Sequence, residues 1–69
     1  MGYLVKILQI DEYTIRLYRD ESDLYAWQLW AASELGPYLE RSAPHKFKSE
    51  AEATHSAVLV YKRLPLVIV

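Results

Sequence analysis

The chain has 69 residues, no cysteine, eight Lys and Arg against nine Asp and Glu, and a hydrophobic content of 52%; its formal net charge is −1. That composition excludes a disordered segment, a disulfide framework and a zinc–thiolate site, and it denies the protein the cationic field on which non-specific duplex binding depends. A chain this short buries only about 60% of the surface its unfolded form exposes, so it needs close packing or a second copy to complete its core.

No apolar run approaches the roughly 20 residues of a membrane span. Met1-Gly2-Tyr3-Leu4-Val5 lacks the basic region and small-residue cleavage site of a signal peptide, and Lys6 stands where a myristoylation sequence has Ser or Thr. A cytoplasmic protein without membrane contact is expected.

In chain order, Tyr3 to Ile10 places β-branched and aromatic residues on both alternating sets. It reads as a strand covered on both sides or as an edge strand. Asp11-Glu12 marks a turn. Tyr13 to Arg19 and Tyr25 to Ala31 both alternate residue by residue, the signature of half-buried strands, and a loop of about five residues around Asp20-Glu21-Ser22-Asp23 joins them into a hairpin. Gly36-Pro37 signals a further turn, Tyr38 to Arg41 a short strand, and Ser42-Ala43-Pro44-His45 a loop.

Ser49-Glu50-Ala51-Glu52 matches a capping box and predicts a helix from Ser49 to Leu64. Acidic residues in its first turn, Lys62 and Arg63 in its last, and Pro65 beyond suit the helix dipole and a stop. Ala51, Thr54, Ala57, Val58, Tyr61 and Leu64 form the predicted sheet-facing side. The run Ala57 to Tyr61 is also strand-prone, and the caps decide for helix. Leu66 to Val69 reads as an added strand or a hydrophobic arm. The expected architecture is a single α+β domain: a three- or four-stranded antiparallel sheet with one C-terminal helix packed on one face.

Chemistry is sparse. No serine lies in a nucleophile elbow, and with only Gly2 and Gly36 there is no phosphate-cradling loop. Catalytic residues, cofactors and a metal are therefore not expected. Glu52-x-x-His55 has the spacing of half a di-metal motif, but such sites take two copies; a capping glutamate beside a surface histidine explains it better. Arg41, His45, Lys46 and Lys48 precede the helix start and are the candidates for contact with an anion, opposed by Glu50 and Glu52 in the same turn.

The hairpin aromatics carry more weight. If Tyr13, Ile15 and Leu17 face the helix, Thr14, Arg16 and Tyr18 decorate the other side. On the second strand, Trp27 and Trp30 are three apart and point to opposite faces, while the register that would choose between them depends on the loop. Arg16, Tyr18, Trp27, Gln28 and Trp30 are thus the interaction-face candidates. Aromatic residues beside arginine suit a subunit interface; they also suit stacking with unpaired bases. With no excess positive charge, an interface is favoured over single-stranded nucleic acid. An inhibitor or regulator of another protein would present the same features, and so would a monomer core thickened by the N-terminal strand and tail.

The pattern Ile15-x-Leu17-Tyr18-Arg19-Asp20, then Tyr25-x-Trp27-x-Leu29-x-Ala31, then Gly36, Ser42, Phe47-x-Ser49 and Ala53 resembles the YegP-like family of small bacterial proteins over Tyr13 to Leu64. The resemblance implies a unit of three antiparallel strands followed by a helix, and for a single unit a homodimer. It departs at Asp20-Glu21-Ser22-Asp23, where the family usually has glycine, and at Ser33-Glu34-Leu35-Gly36, where it has Asn-Gly. It implies no catalytic residue. The expected role is a non-enzymatic interaction module that self-associates through the open sheet face or its apolar termini.

Overall fold

Four strands form one antiparallel sheet in chain order: β1 (Tyr3–Ile10), β2 (Tyr13–Arg19), β3 (Tyr25–Ala31) and β4 (Tyr38–Ser42), followed by the helix α1 (Glu50–Lys62). The structure is a computed structural model that describes residues 2 to 64. The expected roles of Pro65 and of Leu66 to Val69 lie outside those residues.

Alternation becomes a core because the register of the central hairpin is unbroken. Ile15 sits opposite Leu29, and Leu17 opposite Trp27. All four are buried, and with Ala53 and Ala57 of the helix they form the core cluster. Directly opposed side chains share a face, so the same register turns Thr14, Arg16 and Tyr18 outward together with Trp30, Gln28 and Ala26. Fully burying a large apolar side chain stabilises a fold by about 1.5–3 kcal/mol, and the core face concentrates that gain in a few residues.

Each connection has a local cause. Asp11 adopts φ 52° in the two-residue turn between β1 and β2, a left-handed value that Asp tolerates better than most residues. In the next turn the Asp20 carboxylate accepts the amides of Ser22 at 2.8 Å and Leu24 at 3.1 Å, while Asp23 takes φ 61°. Gly36 reaches φ 111°, which only glycine adopts without strain, and its amide donates to the Ser33 carbonyl at 3.0 Å. Beyond β4 the chain keeps to the edge of β3: the Ala43 amide donates to the Trp27 carbonyl at 2.9 Å, and Tyr25 and Phe47 exchange two bonds of 2.8 Å.

The helix begins where the capping pattern places it. Ser49 is the N-cap, its hydroxyl accepting from the Glu52 amide at 3.1 Å. The strand-prone run Ala57 to Tyr61 is helical. Two details differ from the predicted packing face. Ala51 is exposed, whereas Ala53, absent from that prediction, is fully buried with Ala57. Two alanines one turn apart let the helix axis approach a sheet thickened by Trp27, which larger side chains would prevent. At the other end Tyr61 stacks edge-on against Tyr13, ring centroids 5.5 Å apart, and donates its hydroxyl to Asp11 at 2.6 Å. That bond holds the Tyr61 phenol above its ordinary pKa, with burial adding to the shift.

Among the described residues Tyr3 to Ile10 is an edge strand, with a register shift at Val5. β4 forms the opposite edge and shifts register at Glu40. Among the described residues no helix is long and apolar enough to cross a membrane.

Candidate interaction face

The helix covers one side of the sheet. Strand registers assemble the other from three cross-strand rows: Gln9, Thr14, Trp30 and Leu39; Ile7, Arg16, Gln28 and Ser42; and Leu4, Tyr18 and Ala26. Four of the five interaction-face candidates, Arg16, Tyr18, Gln28 and Trp30, are brought together here. Trp27 is the exception and must be reassigned. It is 1% exposed, on the helix side of β3, and its indole Nε1 donates to Ser56 Oγ at 3.1 Å. The reason is register: Trp27 lies opposite Leu17, which faces the helix.

The centre of the open face is preorganised. The Arg16 guanidinium lies 4.9 Å from the Trp30 ring centroid, and the Trp30 indole N–H donates to Gln28 Oε1 at 2.9 Å. The indole thus carries a cation over its π-face and has its polar edge satisfied, which fixes its orientation. Around it the surface is apolar and exposed, with Leu4 and Leu39 each at 46% and Ile7 at 54%. Of the eight exposed large hydrophobic residues among those described, four lie on β1: Tyr3, Leu4, Val5 and Ile7. The strand's both-sided apolar pattern was the available signal for this margin, but it did not distinguish a covered strand from an open edge.

At the hairpin end of this face lies a hollow of about 460 Å³, bordered by Tyr18, Ala26, Gln28 and Ser42 with Asp20 and Lys46. Lys46 is ion-paired with Asp20. The lysine first, then the Leu24 amide, hold the Asp20 carboxyl down at about 2.

The four anion-contact candidates do not act as one group. Lys46 is engaged by Asp20, and Arg41 bonds the Glu40 carbonyl at 2.9 Å and its carboxylate at 3.3 Å. His45 packs its ring 4.4 Å from that of Phe47 and contacts the Lys46 carbonyl through Nδ1. Lys48 is exposed. Carboxylates already neutralise two of the four, which removes the convergence an anion site requires. His45, Glu52 and His55 border a hollow beside the helix, but among the described residues no group of three or more His, Cys, Asp or Glu is arranged to hold a metal ion.

Neither a protein-family model, a curated protein nor a solved structure matches this chain.

Proposed function

We propose that this chain is a non-enzymatic protein-interaction module of the cytoplasm that works by self-association, burying the apolar surface that runs from β1 onto the open side of the sheet. One observation carries the reading: among the described residues the four-stranded sheet has a helix on one face only, while Leu4, Ile7 and Leu39 remain exposed around the Arg16–Trp30 pair on the other. Apolar surface rimmed by polar groups marks association sites, and aromatic residues with arginine are enriched at their centres. The small core and the YegP-like residue pattern support a second copy as the partner.

Single-stranded nucleic acid is less well supported. Arg16 is the one cation that the strand registers place on the open face among the described residues, and it occupies a ring face of Trp30 that a base would need. Light scattering over a dilution series tests self-association: a dimer dissociating in the micromolar range is expected, and a strict monomer at several hundred micromolar would overturn the reading. Titration with short oligonucleotides at low salt should leave tryptophan fluorescence unchanged.

A further inference from the structure

We infer that two copies join through the outer edges of β1, as an antiparallel pair related by a two-fold axis, which makes one continuous eight-stranded sheet. The inference rests on the self-association proposed above and specifies the surface and the geometry.

The two sheet edges are unlike. β4 has five residues, carries Glu40 and Arg41 and shifts register at Glu40, the features by which native edges discourage pairing. β1 is the longest strand at eight residues, contains no proline and carries one charge, Lys6. Its register shift at Val5 leaves Lys6 to Ile10 regular. A long apolar edge of this kind is a template for another strand.

Charge selects the second strand and its direction. Lys6 lies near the start of the regular stretch, while Asp11 and Glu12 follow its end. An antiparallel copy brings the two ends of the pattern together twice, whereas a parallel copy sets like beside like. Centring the axis on Leu8 puts Lys6 opposite Ile10 of the second copy, with that copy's Asp11 and Glu12 next along the chain. Lys6 and Asp11 also share a side of the sheet: Lys6 borders a hollow with Glu50 and Thr54 of the helix, and Asp11 accepts the hydroxyl of helical Tyr61. Glu50 is the intramolecular competitor for Lys6. On the open side the pairing sets Ile7 beside the second copy's Gln9, so that the two apolar faces merge.

The test pairs two charge reversals on exposed side chains, Lys6→Glu and Glu12→Lys, with hydrogen exchange of the unaltered protein. Each variant alone should dimerise on the order of tenfold more weakly. An equimolar mixture should recover the original affinity as a heterodimer, and β1 amides should lose protection on dilution. A dimer indifferent to both reversals and to mixing would overturn edge pairing while leaving self-association through another surface intact. Protection of the β1 edge that persists when dilution has dissociated the dimer would show the edge to be covered within one chain and would also overturn it. A monomer at every concentration would overturn self-association itself.

Discussion

Trp27 and Ser56 are tied across the sheet–helix interface by a single hydrogen bond, the indole N–H donating to the hydroxyl at 3.1 Å. The bond joins the largest side chain of the core to the helix turn between Ala53 and Ala57, so it sets the rotation of the helix as well as satisfying a buried donor. Ser56→Ala leaves that donor unpaired and should cost about 1–3 kcal/mol. Trp27→Phe removes the donor along with part of the ring. In the Trp27→Phe background Ser56→Ala should therefore be nearly neutral, a non-additivity that urea titration of the two single variants and the double variant would measure.

The two tryptophans should report separately. Trp27 is enclosed and Trp30 lies on the open face, so in the dissociated protein acrylamide should quench the emission of a Trp27→Phe variant strongly and that of a Trp30→Phe variant weakly. Removing the cation by Arg16→Ala should destabilise the fold by about 0.5–1 kcal/mol and free the indole. Equal quenching of the two single-tryptophan proteins would contradict the register of β3.

The Asp20 carboxylate links the hairpin loop to Lys46, and its pKa is lowered to about 2. A carboxyl depressed on folding adds stability that is complete above its unfolded value near 4 and disappears as pH falls through the folded value. Asp20→Asn should consequently be less stable than the original at pH 7. The gap should narrow between about pH 4 and pH 2, as followed by thermal unfolding at fixed ionic strength. A gap independent of pH would assign the loss to the turn hydrogen bonds rather than to charge.

Ser49 accepts the amide of Glu52 at the start of the helix. Ser49→Ala should cost about 0.5–2 kcal/mol, and Ser49→Asp should restore most of it. Circular dichroism during denaturant titration would show both.

Much of the architecture was legible because it is periodic. Alternation marked Tyr13 to Arg19 and Tyr25 to Ala31, and the Ser49 cap marked the helix boundary. A spacing of three in an unbroken strand put Trp27 and Trp30 on opposite faces. Which of them faces the helix was not legible, because the answer lies in a loop whose geometry depends on Asp20 bonding back to two amides and on Lys46, a residue far along the chain. The helix face differs at Ala51 and Ala53 for another reason. Both are alanines, which hydrophobic spacing does not tell apart, and the turn that approaches the sheet closely is the one carrying Ala53 and Ala57. The anion candidates are divided because Arg41 turns to its neighbour Glu40 while Lys46 meets Asp20, a carboxylate far back in the chain that spacing around the helix start does not reveal.

The strand order also bears on the speed of folding. Among the described residues every ladder in the sheet joins neighbours in the chain, so each strand pairing closes a short loop at small entropic cost, whereas the clasp of Tyr61 onto Asp11 spans 50 residues. Local hairpins can thus organise before the helix end is secured, and Tyr61→Phe should accelerate unfolding while leaving the refolding rate nearly unchanged in stopped-flow measurements. The tyrosine acts as a latch: it governs how long the assembled molecule persists more than how fast it forms.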